Sequence, residues 1–291
     1  MLRIFPTPPF RLDTTVQPLH RLPINGVDRW DGHFYRRLFV RKNRPVELIL
    51  EQDNTGERPS LLMTAKGLSL GAENKAALLP TVSRMLGITL RLGKFQATAN
   101  PKLQKLLEKA PGLKPSQFYS PFETLVNVHA AEHLAETEAL SLVNRFCSTF
   151  GPHLGDAYGF PLPQSFDGHT PKELSDLGFS PQQAKNLLEI AQALSSGKLD
   201  VKPWRQLDDP HLLEQLVKLP GIDRPTAEYV ALRGFGRLDI FPTGDAMTIA
   251  RLQEWLELKT IPSAEEIGKL LAPWMPYRGL IYFYLQAFPK S

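Results

Sequence analysis

The amino-acid sequence predicts a mostly α-helical protein preceded by a smaller part built on an antiparallel β-sheet and a helix. Three observations lead there. From Pro101 onward apolar residues recur at three- and four-residue intervals, the repeat of one packed helix face. Residues 11–70 instead favour strands, with apolar/polar alternation and aromatic or β-branched residues. Prolines and glycines punctuate both kinds of run. The expected division is a mixed α/β part over residues 1–95 and a helical region over 96–291.

In the front part, Phe34 to Val40 and Val46 to Gln52 read as strands, and Asn54-Thr55-Gly56 as a hairpin turn. A helix fits Glu73 to Leu86, with Leu78, Leu79, Val82, Met85 and Leu86 on one side, Pro80 as a kink and Gly87 as its stop. Pro101 to Ala110 is a basic amphipathic helix closed by Pro111-Gly112. Phe122 to Leu134 and Thr137 to Phe150 follow, and Gly151-Pro152 ends the second. Residues 151–171 form a Gly- and Pro-rich loop carrying Tyr158 and Phe160. The remaining helices fit Pro171 to Leu177, Pro181 to Ser195, His211 to Val217, Pro225 to Leu232, Ala246 to Leu256, Ala264 to Leu271 and Tyr277 to Phe288.

The formal charge of +4 and a pI near 9.1 permit a polyanionic partner without demanding one. Cys147, the single cysteine, lies in an apolar helical run with Leu142, Val143 and Phe146 and reads as core. One cysteine excludes a disulfide framework and any multi-cysteine zinc or iron–sulfur site. Apolar runs fall short of membrane-spanning length, so a soluble intracellular protein with no membrane partner is expected.

The stretch Leu216 to Arg251 carries the chemistry. A helix ends at Val217, the turn Leu219-Pro220-Gly221-Ile222 follows, and a second helix packs Thr226, Ala227, Val230, Ala231 and Leu232 on one face. Such a turn presents unpaired N–H groups at a helix start, an arrangement suited to a phosphate. Further on, Asp245 follows Phe241-Pro242-Thr243-Gly244 and opens the run Met247, Ile249, Ala250, Leu252. There the helix dipole favours an ionised carboxylate, whether it serves as a cap or as a reactive group.

These residues resemble the helix-hairpin-helix (HhH-GPD) DNA glycosylases, and within them the 3-methyladenine DNA glycosylase II (AlkA) branch. The resemblance covers about two-thirds of the chain, from Pro115. It includes Phe122-Glu123-Thr124-Leu125-Val126, Leu174 to Gly197, and the C-terminal Trp274-Met275-Pro276-Tyr277-Arg278. It implies two helical lobes with a cleft between them, behind a small antiparallel sheet domain. It also implies a monomer acting on double-stranded DNA with a damaged base, cytoplasmic and nucleoid-associated if bacterial.

For individual residues, the resemblance implies that Asp245 is catalytic and that Gly221, Asp223, Arg224 and Thr226 hold a DNA phosphate. Val217, Leu219 and Ile222 would offer backbone carbonyls to a structural Na or K ion, with no cofactor required. Asp223 departs from the family's usual glycine and puts a negative side chain near that phosphate. Pro225 stands where lyase-capable relatives carry the Schiff-base lysine, which implies a monofunctional enzyme. Glu132 and His133 match the positions that fill the gap left by a flipped nucleotide, with His133 as the wedge. Tyr229, Tyr282 and Tyr284 are candidates for an aromatic base pocket, with the Trp274 cluster behind them. Pro225, Ala246 and Gln286 fall where relatives often have rings, and Gln286 is counted with the pocket.

The expected reaction is hydrolysis of an N-glycosidic bond. One fixed anion suffices if the leaving base already carries positive charge, because no second acid is then needed. The alternative is a non-catalytic helix-hairpin-helix DNA-binding protein on the same scaffold. A structural or protein-interaction domain with no DNA role ranks third.

Overall fold

A computed structural model describes residues 1–287, and its front part is a five-stranded antiparallel sheet. Strands β1 (Leu2–Ile4), β2 (Arg29–Trp30), β3 (Phe34–Arg41), β4 (Arg44–Asn54) and β5 (Ser60–Lys66) lie in the order β1-β5-β4-β3-β2. Lys42 and Asn43, both at positive φ, make the tight β3–β4 turn that lets Phe39 pair with Val46. The turn after β4 is the expected one, with the Asn54 side chain accepting the Gly56 amide at 2.9 Å.

One expectation fails here. Residues 12–20 are a helix, α1 (Leu12–His20), rather than a strand. Leu12, Val16 and Leu19 recur at helical spacing and are fully buried against the sheet, and this burial outweighs Pro18 in the last turn. Helix α2 (Ala72–Met85) contains Pro80 as expected and covers the same core with Leu78, Val82 and Met85.

Helices α3 (Gly93–Ala97) and α4 (Pro101–Lys109) lead to α5 (Pro121–Ala131) and α6 (Glu136–Phe150). The expected loop over 151–171 holds a small hairpin, β6 (His153–Leu154) with β7 (Ala157–Tyr158). Then come α7 (Pro171–Leu177), α8 (Pro181–Ser195), α9 (Asp209–Leu216) and α10 (Arg224–Val230). A π-helical turn, Ala231–Phe235, extends α10. Helices α11 (Ala246–Leu256), α12 (Ala264–Leu271) and α13 (Arg278–Gln286) complete the described residues. Phe288, expected to end the last helix, lies outside them.

Two helical lobes result, each with its own core. The first packs α5 to α10 around Phe146, Phe166, Leu187 and Ala227, with Cys147 fully buried and its thiol pKa pushed well up by burial. The second packs α3 and α4 with α11, α12 and α13, and draws in Leu92 and Phe95. Helix α10 lies at the junction. Its Ala227 and Val230 belong to the first lobe, while Tyr229 packs against the second lobe and the sheet core.

A buried charged joint ties the sheet to α5. Arg37 of β3 donates to both oxygens of Asp28 (2.6 and 2.7 Å) and of Glu123 (2.7 and 2.6 Å), and all three residues are almost fully buried. Burial pushes the Glu123 carboxyl up, and the facing guanidinium only partly offsets it.

Candidate active site and nucleic-acid interface

Asp245 is the N-cap of α11, and its carboxylate accepts four hydrogen bonds. Oδ1 takes the Thr248 amide at 3.0 Å. Oδ2 takes the Thr248 hydroxyl (2.8 Å), the Tyr282 phenol (2.8 Å) and the Gln286 side-chain amide (3.0 Å). Gln286 also donates to the Tyr282 oxygen at 2.6 Å, so the donors brace one another. Burial, and then the nearby Asp245, push the Tyr282 phenol well above its ordinary pKa, which keeps it a donor. The arrangement follows from helix geometry: positions 282 and 286 are one turn apart on α13, which packs against α11 and aims both side chains at one cap.

The loop entering Asp245 is held from two sides. Arg278 forms a paired bond to Asp239 (2.9 and 2.7 Å), and the Gly279 amide donates to the Leu238 carbonyl at 2.7 Å. That is the role of the C-terminal motif, while Trp274 packs on Trp255. On the other side Gly244 approaches α10 so closely that a Cβ there would lie 2.7 Å from Pro225. The position that would carry a lyase lysine therefore adjoins the residue preceding Asp245.

The hairpin is the turn between α9 and α10. Gly221 sits at φ 73, and a Cβ there would lie 2.0 Å from the Asn186 amide nitrogen on α8, so conformation and space both require glycine. The helix start, however, is already occupied. Asp223 is its N-cap, and its Oδ1 accepts the Thr226 amide at 2.9 Å. Thr226 is also buried, which corrects its expected role: its amide is spent on a cap, not offered to a phosphate. Gly221, Asp223 and Arg224 remain exposed, and Arg224 pairs with Glu228 at 3.1 Å.

The α5–α6 loop differs from expectation in its ending. Helix α5 stops at Ala131 instead of Leu134, because Glu132 leaves helical conformation and His133 turns to φ 61. Glu132 does not project. Its carboxylate is folded back onto His129 Nδ1 (2.8 Å) and the Gln183 amide (2.7 Å). Burial pushes the Glu132 pKa up, but these two contacts outweigh it and leave the value lowered. His133 is exposed, and beside it Leu134 is 39 % exposed, an apolar tip that a reading fixed on positions 132 and 133 misses.

Among the expected pocket residues, Tyr229 and Tyr282 meet edge to face at 6.3 Å, with Gln286 beside them. Tyr284 does not join them. It is buried against Phe95 in the second lobe's core, because residues 282 and 284 point to different sides of α13. Ala246 and Met247 are exposed next to Asp245, and Met247, which opens the apolar helical run in the sequence, is 46 % exposed instead of packed, a flexible apolar surface beside the acid. A cavity of about 730 Å³ opens beside the loop that leads to Asp245 without including that residue: Asp209 and Glu214 of α9, Glu228 of α10, Asp239 and Thr243 of the loop and Ile267 of α12 are among its lining.

The geometry thus places one acid, two aromatic rings, a hairpin and an exposed apolar tip along α5, α10, α11 and α13. The sequence profile of HhH-GPD superfamily base excision DNA repair proteins matches residues 135–276. The alkylbase DNA glycosidase-like protein mag2 of Schizosaccharomyces pombe is 27 % identical over 69 % of this chain and 93 % of its own length. DNA-3-methyladenine glycosylase 2 of Escherichia coli is 28 % identical over 72 % of this chain and 73 % of its own. The solved 3-methyladenine DNA glycosylase of Archaeoglobus fulgidus superposes with a TM-score of 0.85 at 18 % identity, over 98 % of this chain and 97 % of that one. The chain therefore has the fold of these glycosylases, and just under half of it, residues 135–276, matches the profile of HhH-GPD superfamily base excision DNA repair proteins.

Proposed function

We propose that the protein is a monofunctional DNA glycosylase that flips an alkylated base out of duplex DNA and hydrolyses its N-glycosidic bond. The observation that carries this reading is the fourfold hydrogen-bonded carboxylate of Asp245. A carboxylate oxygen has about two acceptor sites, so three donors saturate Oδ2 and leave room only at Oδ1. Such a group is a fixed anion in a set orientation. It suits electrostatic stabilisation of a sugar with oxocarbenium character better than rapid proton exchange with water. An alkylated purine that already carries positive charge leaves without a general acid, so one carboxylate is enough.

Pro225 beside Gly244 supports the absence of a lyase step, because no amine at that position can attack the sugar. The names of the relatives support the alkylated-base class. Exposed Gly221 and Arg224 would grip the strand, and His133 with Leu134 would fill the vacated stack. A Na or K ion would fit the hairpin. The Leu219 carbonyl accepts the Ile222 amide at 3.2 Å, and among the described residues the carbonyls of Val217 and Ile222 accept no backbone N–H. When bound, the ion would add positive charge to the turn and help attract a phosphate.

The non-catalytic alternative, prompted by Asp223 and Glu132, is disfavoured by Asp245, since a protein kept only to bind DNA gains nothing from a braced carboxylate there. The deciding test is base release from dimethyl-sulfate-treated duplex by wild type and Asp245→Asn. Wild type is expected to release bases and the variant to be about a thousandfold slower. Duplex binding without release by wild type would establish the non-catalytic reading instead.

A further inference from the structure

One carboxylate near the site is unassigned. Glu228 lies one turn beyond Arg224 on α10, and its side chain is only 13 % exposed. Its Oε2 accepts both the backbone amide (3.0 Å) and the hydroxyl (2.7 Å) of Thr243, two residues before Asp245. Its Oε1 accepts Arg224 Nε at 3.1 Å. A single side chain on the hairpin helix therefore holds the loop that delivers the acid, and also contacts the exposed arginine at the hairpin's mouth. Gly244, pressed against Pro225, closes the same seam one residue further on.

The loop needs such a tether. Asp245 and Thr248 cap α11 internally, which fixes the carboxylate relative to its own helix but not relative to the hairpin. Tyr282 and Gln286 tie it to α13, a helix of the same lobe. Glu228 reaches across to it from α10, whose Ala227 and Val230 belong to the other lobe. We propose that Glu228 is a positioning residue that latches the Asp245 loop to the hairpin helix, so that the acid stands at a set distance from the strand the hairpin grips. This rests on the catalytic reading of Asp245.

The test compares Glu228→Ala, Glu228→Gln, Thr243→Ala and the Glu228→Ala/Thr243→Ala double variant with wild type and Asp245→Asn. Two quantities are read: single-turnover base release from dimethyl-sulfate-treated duplex, and affinity for duplex carrying a tetrahydrofuran abasic analogue. Glu228→Ala is expected to release bases about a hundredfold more slowly, the cost of a small misplacement, with affinity within about threefold of wild type. Glu228→Gln recovers to within about tenfold of wild type, because its amide oxygen still accepts from Thr243 although Arg224 is lost. The double variant is no slower than Glu228→Ala, since both changes open one contact.

Wild-type release rates in Glu228→Ala overturn the proposal, and so does a glutamine variant no better than alanine. A rate loss matched by an equal loss of affinity would make Glu228 a binding or folding residue instead. If Glu228→Ala does not fold, Glu228→Met, which fills the space but accepts neither bond from Thr243, carries the test: slower release at unchanged affinity supports the latch, and an unchanged rate overturns it. An inert Asp245→Asn beside a fully active Glu228→Ala removes the latch alone. An inert wild type removes the glycosylase reading and the latch with it.

Discussion

Helices α10 and α11 begin with the same device. Asp223-Arg-Pro-Thr226 and Asp245-Ala-Met-Thr248 are both Asp-x-x-Thr caps, with amide-to-Oδ1 distances of 2.9 and 3.0 Å. They differ in what reaches the second oxygen. At Asp245, Oδ2 gathers a hydroxyl, a phenol and an amide, two of them from α13 some forty residues away in sequence. At Asp223 no side chain among the described residues is hydrogen-bonded to Oδ2, and the residue is exposed. An identical local motif thus yields a braced anion in one place and an ordinary helix cap in the other. The long-range partners, not the motif, decide which.

Asparagine at both positions keeps a cap while removing the charge, so the caps alone predict equal and small effects. We expect the opposite. Asp245→Asn loses base release by about a thousandfold, whereas Asp223→Asn does not slow it, as paired single-turnover assays will show. Tyr282→Phe removes one donor to the charged group and should slow release by about tenfold to a hundredfold without weakening duplex binding. Equal loss of affinity would mean the phenol supports the fold and not the anion.

Asp223→Asn should tighten duplex binding by about three- to tenfold and steepen the log–log salt dependence by about one, because a repelling charge leaves the phosphate site. Unchanged binding would place the phosphate away from the hairpin. The smallest effect belongs to the hairpin carbonyls. Replacing potassium by tetramethylammonium at constant ionic strength should weaken duplex binding by about threefold, the scale of a partly exposed charge–dipole contact. No change would argue against an ion there.

Much of this site was legible in the sequence because its signals are local. The hairpin is written in Pro220 and Gly221, and Asp245 in its place before an apolar helical run. Even the cap partner Thr248 was within reach, at the spacing that Asp caps prefer. What escaped was long-range or face-dependent. Tyr282 and Tyr284 are both buried tyrosines on one helix, and only the direction of α13 separates the site member from the core member. Glu228 reads as one more exposed acid on a surface helix until the fold brings Thr243 against it. Helix α1 was missed because Thr14, Thr15, Val16 and Pro18 all argue against a helix, and burial of one face against the sheet overrules them. Thr226 reads as a phosphate contact in the sequence, and only the fold shows its amide donating to Asp223.

The Arg37 joint has a consequence for how this chain can be cut. The sheet supplies the cation that neutralises Glu123 inside the helix leading to the His133 tip. A truncated chain starting at residue 96 would strip Glu123 of its counterion and of the strand that covers it at once, opening this face of α5 to water. The front part is therefore a counterion as much as a cover, and its removal ends both roles together.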